Sequence, residues 1–152
     1  MAKHNILIVD DTPMMLRTLG DMLKVEYHIL ISKSGQQAIA SAKKNKPSLI
    51  LMDIMMPGMT GFEAMEILQE DEDTKNIPVI FVSGDVSRET KETAYKLGAV
   101  DFIEKPFIEL AIKRRIGFII EFLEMKSRLD RMSNTCESSP ESSQRPPSKS
   151  VL

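Results

Sequence analysis

Short runs of consecutive apolar residues alternate along the chain with segments of helical hydrophobic spacing. Three of these runs, at residues 6–9, 49–52 and 79–82, contain apolar side chains only. Strands of a parallel sheet are buried on both faces, so they appear as continuous rather than alternating apolar runs. Weaker strands are predicted at residues 27–32 and 100–103. The pattern therefore predicts five strands of a parallel sheet.

Helix signals fill the intervals between the predicted strands. A Thr-Pro pair at residues 12–13 provides an N-cap and a favoured first helical residue, and Thr60 with Glu63 forms a capping box. Ser87 opens a further helix, and Gly98 ends it. Five β–α units joined by right-handed crossovers give an α/β fold, a doubly wound parallel sheet with helices on both faces. The five helices are predicted to begin near residues 12, 34, 60, 87 and 107.

The composition changes sharply near residue 133. Residues 133–152 include seven Ser and three Pro and almost no apolar side chains. Such a segment buries too little surface to offset the entropy lost on ordering. We therefore interpret residues 1–125 as one globular domain and residues 126–132 as an extension of its last helix. Residues 133–152 are interpreted as a disordered tail, a linker or a foreign remnant.

The charge balance excludes several classes of protein. The chain has 20 basic and 22 acidic side chains and a net charge of −2, without the basic excess of nucleic-acid or polybasic membrane binders. Cys136 is the only cysteine, so no internal disulfide forms, and two His residues cannot complete a zinc site. No apolar run approaches the ~20 residues of a membrane span. A cytoplasmic protein without direct nucleic-acid or membrane binding is expected.

Polar side chains follow four of the predicted strands. Carboxyl ends of parallel strands lie at one edge, where open α/β sheets bind ligands. Three clustered carboxylates repel one another, and a hard cation such as Mg²⁺ relieves that repulsion. One carboxylate can then attack phosphorus, while an ammonium and a hydroxyl bind the phosphoryl oxygens. Each residue alone is commonly a cap, a turn residue or a solvated charge. The polar residues at the ends of these strands are Asp10 and Asp11 after strand 1, Asp53 after strand 3, Ser83 after strand 4 and Lys105 after strand 5.

Four motifs together resemble those of two-component response regulator receiver domains, which have the fold of the bacterial chemotaxis regulator. Each motif is weak alone, but their order and spacing across roughly residues 3–125 match the family. The resemblance implies a flavodoxin-like (βα)5 fold with strand order 2-1-3-4-5. The motifs are IVDD at residues 8–11, DIMMPGMTG at 53–61, VSG at 82–84 and GAVDFIEKPF at 98–107.

The resemblance also implies a role for each polar residue. Asp53 is the implied phosphoacceptor, Lys105 the partner of the phosphoryl group and Ser83 the switch hydroxyl. Phe102 stands at the position of the switch aromatic, where many members have Tyr, and its ring lacks the phenolic hydroxyl. The Lys105–Pro106 peptide bond is expected to be cis. The implied Mg²⁺ ligands are Asp11, Asp53 and the backbone carbonyl of Met55, with Asp10 acting through a metal-bound water.

The implied function is a phosphorylation-dependent signalling switch rather than an enzyme. A sensor histidine kinase or a phosphotransfer protein would supply the phosphoryl group, and the domain would assist only its own phosphorylation and dephosphorylation. One alternative is a phosphatase of the haloacid dehalogenase type, but such enzymes usually carry Asp-x-Asp after strand 1, where this chain has Asp10, Asp11 and Thr12. The other is a phosphorylation-independent scaffold, against which the intact set of acidic, hydroxyl and lysine side chains argues.

The last predicted helix carries two apolar stripes. The first is suited to packing on the sheet. The second has the 4-3-4-3 spacing of a short heptad seam. It belongs either to a wide core-facing surface with a fraying end or to a helix that pairs in a homodimer. The first stripe is Ile112, Ile116, Ile119 and Leu123, and the second is Phe118, Phe122, Met125, Leu129 and Met132.

Overall fold

A computed structural model describes residues 3–137 of the chain and the side chains of residues 3–132. Strands and helices alternate throughout, as the apolar pattern predicts. The strands are β1 (Asn5–Val9), β2 (His28–Ser32), β3 (Leu49–Asp53), β4 (Val79–Ser83) and β5 (Asp101–Glu104). The helices are α1 (Pro13–Leu23), α2 (Gly35–Asn45), α3 (Gly61–Glu70), α4 (Arg88–Lys96) and α5 (Glu109–Glu137).

The five strands form one parallel sheet in the order β2-β1-β3-β4-β5. The predicted fold class and strand order are therefore confirmed. Every residue of β3 and β4 is buried, which explains why these strands appear in the sequence as uninterrupted apolar runs. In the register, Val9 pairs with Met52, Asp53 with Val82 and Ser83 with Glu104. The carboxyl ends of the central strands consequently lie level at one edge.

One hydrophobic cluster of the core combines alternate residues of β1, β3 and β4 with residues of helices α2, α3 and α4. Phe81 of β4 is fully buried and meets the ring of Phe62 edge-on, with centroids 5.1 Å apart. Burying a side chain of this kind contributes about 1.5–3 kcal/mol. Ala38, Ala64 and Ala94 of α2, α3 and α4 belong to the same cluster. Small residues at these positions fit helices that lie close against the sheet.

Helices α1 to α4 begin directly after the predicted cap residues, but at α1 the cap side chain makes no capping bond. Glu63 N–H donates to Thr60 Oγ1 at 3.1 Å and Thr60 N–H donates to Glu63 Oε1 at 2.9 Å, which completes the capping box. Thr12 occupies the N-cap of α1, but its side chain makes no capping hydrogen bond. Its backbone N–H instead donates to Asp10 Oδ1 at 2.9 Å. The capping prediction for Thr12 is thus corrected: its N–H orients the carboxylate of Asp10.

The chain divides into two compact units, Met1–Arg114 and Arg115–Leu152. Helix α5 continues to Glu137, five residues beyond the predicted end at Met132. The sequence contains no Gly or Pro between Met132 and Pro140, and extending an existing helix costs little. Residues 133–137, which the sequence analysis assigns to the tail, are therefore helical. The rest of the predicted tail, residues 138–152, lies outside the described residues. Within residues 3–137, no helix has both the length and the apolarity that a bilayer span requires.

Gly61 provides a test of how tightly the loop after β3 is built. A Cβ at this position would lie 2.3 Å from the carbonyl oxygen of Asp53, and Gly61 N–H donates to Ile54 O at 2.8 Å. Gly61→Ala should therefore lower the free energy of unfolding by about 1–3 kcal/mol, as overpacking does. Urea titration measures the change.

Gly20→Ala is the matched control for this substitution. Gly20 lies within α1 and a Cβ there would meet nothing within 4 Å. Alanine is the better helix former, so Gly20→Ala should raise the free energy of unfolding by about 0.5–1 kcal/mol. Unfolding midpoints that shift in the same direction for both variants would contradict the close approach at Gly61.

Candidate functional site

Three carboxylates meet at the edge of the sheet where β1 and β3 end. Asp10, Asp11 and Asp53 each offer an oxygen within 4.8 Å of the others. Asp10 and Asp53 are buried, whereas Asp11 is exposed. Parallel pairing of β1 with β3 brings Asp53 to Asp10 and Asp11, although Asp53 is more than 40 residues from them in sequence. The three carboxylates that the sequence predicts to cluster therefore lie together.

Lys105 extends from the end of β5 to the same cluster. Its Nζ lies 3.3 Å from Asp10 Oδ2 and 3.5 Å from Asp53 Oδ2. Its backbone N–H donates to Ser83 O at 2.8 Å, and the Lys105–Pro106 bond is cis, as expected from the resemblance. The ammonium therefore faces both buried carboxylates from a position fixed by β4 and β5.

Ser83 is buried at the end of β4, next to the strand that carries Asp53. Its Oγ accepts a hydrogen bond from Asp85 N–H at 3.0 Å. This bond uses a lone pair of the hydroxyl, not its proton, so Ser83 keeps the ability to donate. The Asp85 carboxylate accepts from Ser87 N–H and from the Thr90 hydroxyl, and these bonds lower its pKa. Asp85 is thereby held as an anion within the loop that follows Ser83.

The electrostatics of the cluster disfavour an ionised Asp53. Burial raises the pKa of the Asp53 carboxyl above its ordinary value, and the charge of Asp10 raises it further. Lys105 and a hydrogen bond from the backbone N–H of Met55 act in the opposite direction without cancelling the effect. One ammonium is thus insufficient for two buried carboxylates. The oxygen donors and their unrelieved repulsion fit a hard divalent cation such as Mg²⁺.

Phe102 lies in β5 and is buried. The Nζ of Lys91 in α4 stands 5.9 Å from the centroid of the Phe102 ring and forms an ion pair with Glu104 at 2.9 Å. Lys91 thus links α4 to β5 through its contacts with both Phe102 and Glu104. Sequence reasoning missed Lys91, because a lysine on a helix commonly has a solvated side chain. Its spacing of three residues from buried Ala94 was the available signal.

A family model named response regulator receiver domain matches residues 6–117 of the chain. This match, over more than half of the chain, covers the acidic cluster and the lysine already described. The fold and site are those of a phosphoacceptor domain of two-component signalling. The chain belongs to the response regulator receiver domain family.

The relatives differ in how much of their length the match covers. The chain is 37% identical to Protein PilH of Pseudomonas aeruginosa over 116 residues, which is 76% of this chain and 96% of PilH. It is 34% identical over 118 residues to Response regulator PleD of Caulobacter vibrioides, covering 77% of this chain but 26% of PleD. The chain therefore spans nearly all of one relative and about a quarter of the other.

Solved structures show the same architecture. Chemotaxis protein CheY4 of Vibrio cholerae superposes with a TM-score of 0.74 at 26% identity, covering 78% of this chain and 99% of that one. The receiver domain of sensor histidine kinase PA1611 from Pseudomonas aeruginosa, described with a magnesium ion in its active-site cleft, has a TM-score of 0.73 at 26% identity. That match covers 79% of this chain and 99% of that one. The family membership favours a switch over the phosphatase alternative.

Removing the charge of Asp53 should stabilise the metal-free fold. The folded-state pKa of Asp53 is raised, so the folded state favours the protonated carboxyl. The stability that Asp53 contributes is therefore full at low pH and is lost as the pH rises through that pKa. At pH 7 without divalent cations, Asp53→Asn should raise the free energy of unfolding by about 0.5–2 kcal/mol. The gain over the native chain should shrink toward pH 3.

Magnesium supplies the control for this prediction. Added Mg²⁺ should raise the melting temperature of the native chain and have a smaller effect on Asp53→Asn, since a bound ion stabilises only the state that holds it. Equal melting temperatures for the two proteins at pH 7 in EDTA would contradict the electrostatic account of the cluster.

Proposed function

We propose that Asp53 accepts a phosphoryl group from a phosphohistidine on a sensor kinase or phosphotransfer protein, and that the resulting aspartyl phosphate switches the domain between two states. The observation that carries this proposal is the position of Lys105 Nζ, within 3.5 Å of both Asp10 Oδ2 and Asp53 Oδ2. The Lys105 ammonium can contact a phosphoryl group on Asp53. Without it, the anionic phosphoryl group would face the carboxylates of Asp10 and Asp53 with no positive charge nearby.

The proposed transfer forms one bond and breaks one. A carboxylate oxygen of Asp53 attacks the phosphorus, the phosphorus–nitrogen bond breaks and the imidazole leaves with a proton from solvent. Lys105 neutralises charge on a phosphoryl oxygen, and Ser83 donates its hydroxyl proton to another. The backbones of Ser83 and Lys105 are joined by a hydrogen bond at the ends of β4 and β5, so the side chains alone need to adjust to the phosphoryl group.

We infer that Mg²⁺ completes the site. The ligands would be Asp11, Asp53 and the backbone carbonyl of Met55, with Asp10 acting through a bound water. Bound there, the ion would supply charge neutralisation for the incoming phosphoryl oxygens. Three clustered carboxylate oxygens and the raised pKa of Asp53 support this assignment. The magnesium reported in the PA1611 receiver domain is consistent with it.

The proposed switch connects Ser83 to Phe102. As Ser83 moves toward the phosphoryl group, it vacates space into which the Phe102 ring can turn. Lys91 stands over that ring and pairs with Glu104, so rotation of Phe102 changes the surface between α4 and β5. Shifting the two states from 1:99 to 99:1 requires about 5.5 kcal/mol of differential interaction with the phosphoryl group.

The partner surface includes the heptad seam of α5, through which we propose that two copies of the chain pair. All five seam residues are at least 53% exposed. We further propose that residues 1–125 form the receiver domain and that the rest of α5, which ends at Glu137, extends from it. A cytoplasmic location stays a prediction from the sequence.

Asp53→Asn tests the phosphoacceptor directly. With Mg²⁺ and acetyl phosphate, the native chain should gain the mass of one phosphoryl group and Asp53→Asn should gain none. Asp21→Asn, on the exposed side of α1, is the matched control and should be labelled like the native chain. Full labelling of Asp53→Asn would refute the assignment.

Lys105→Met tests the role of the ammonium. A hydrogen bond to a charged group contributes about 1.5–3 kcal/mol, so phosphorylation by acetyl phosphate should slow by about 10- to 100-fold. Lys44→Met, an exposed lysine near the end of α2, should leave the rate unchanged. Stopped-flow or quenched mass measurements give both rates. If Lys105→Met reacts as fast as Lys44→Met, Lys105 does not contact the phosphoryl group.

A further inference from the structure

The exposed seam of α5 has a heptad assignment that its spacing determines. Phe122 and Leu129 take position a, and the remaining three residues take position d. The exposed fractions are 66%, 63%, 53%, 61% and 62% for Phe118, Phe122, Met125, Leu129 and Met132. A continuous stripe of large exposed apolar side chains indicates an interaction surface.

Charged residues flank this seam at complementary positions. Glu121 occupies position g and Lys126 occupies position e of the next heptad. In a parallel, in-register coiled coil, each g residue faces the e residue five positions later in the other helix. Glu121 then lies opposite Lys126 of the second copy, and symmetry provides this pair twice. Both side chains are exposed, and no ion pair is described for either within residues 3–132.

We propose that the occupant of the seam is a second copy of this chain, bound parallel and in register, with Glu121 of each copy paired with Lys126 of the other. The inference rests on the homodimer proposed above and adds its orientation and register. All five seam residues then meet their own counterparts, which gives five apolar layers between the helices.

Antiparallel pairing satisfies the apolar and charged residues less well. One register places Glu121 beside Arg128 of the second copy, but it also sets Met132 opposite Arg115 at both ends. Only four apolar layers remain, and the charge of Arg115 is buried at each of the two ends. Shifting by one heptad in either direction brings Arg128 against Arg128 or Glu121 against Glu121. The parallel register is the arrangement that uses all five seam residues without opposing like charges within residues 118–132.

The parallel orientation also places the C-terminal ends of the two α5 helices, at Glu137, side by side. The seam extends over residues 118–132, about two heptads, and isolated helices of this length are marginal. Dimerisation is therefore expected to depend on concentration within the range that sedimentation equilibrium measures.

Charge exchange in the full chain tests the register. Glu121→Lys alone or Lys126→Glu alone should weaken dimerisation about fivefold or more, since each turns two attractive pairs into repulsive ones. The double variant E121K/K126E should restore native affinity, and E121K/R128E should not. Restoration by E121K/R128E instead would establish the antiparallel register and overturn the proposal, as would affinities unaffected by every charge change.

Single cysteines test the orientation independently of charge. In a Cys136→Ser background, Met132→Cys should form a disulfide-linked dimer on mild oxidation, because both copies of position 132 lie in one layer. Antiparallel pairing would separate these positions by about 25 Å. Ser127→Cys, on the face opposite the seam, is the matched control and should crosslink poorly. Equal crosslinking at both positions, or none at 132, would contradict a parallel seam.

The failures of the two proposals are distinguishable. A native chain that stays monomeric at the highest soluble concentration would overturn the homodimer and its register together. The phosphorylation of Asp53 is measured separately by mass and would be unaffected by Glu121 or Lys126 variants. A variant with Leu129→Arg should be monomeric and still accept the phosphoryl group, and a Leu129→Arg dimer would show that the seam is not the interface.

Discussion

Two buried carboxylates, those of Asp10 and Asp53, are held together because β1 and β3 are neighbours in a parallel sheet. Strand register sets the positions of their backbones, since Val9 and Met52, the residues directly before them, are paired. Lys105 compensates for part of this charge, and the raised pKa of Asp53 shows that the compensation is incomplete. The site thus holds two buried carboxylates whose charge one ammonium does not fully offset, which is the arrangement expected where a further cation binds.

That constraint accounts for the arrangement of the surrounding residues. Thr12 N–H orients one oxygen of Asp10, and Gly61 is required where the loop after β3 passes close to the carbonyl of Asp53. Ser83 stands at the end of β4, beside the strand β3 that carries Asp53, and remains able to donate a hydrogen bond. In the proposed switch, a change at Ser83 reaches the surface through Phe102 and through Lys91 of α4.

The sequence predicted the sheet and the acidic edge because both depend on simple periodicities. Uninterrupted apolar runs mark strands buried on two faces, and in a parallel sheet the residues after each strand must meet at one edge. The spacing of Lys91 from Ala94 indicates the face of α4 on which Lys91 lies, but its contacts with Phe102 and Glu104 depend on how α4 packs against β5. The late end of α5 escapes prediction because extending an existing helix costs little, and the sequence does not determine whether the side chain of Thr12 makes its capping bond.

A crystal structure of the chain with Mg²⁺ and beryllofluoride, a mimic of the phosphoryl group, tests the central claim most directly. The account predicts beryllofluoride bonded to Asp53, in contact with Lys105 and Ser83, and Mg²⁺ on Asp11, Asp53 and the Met55 carbonyl. A structure with beryllofluoride and Mg²⁺ bound elsewhere, or with neither bound at saturating concentrations, would contradict it.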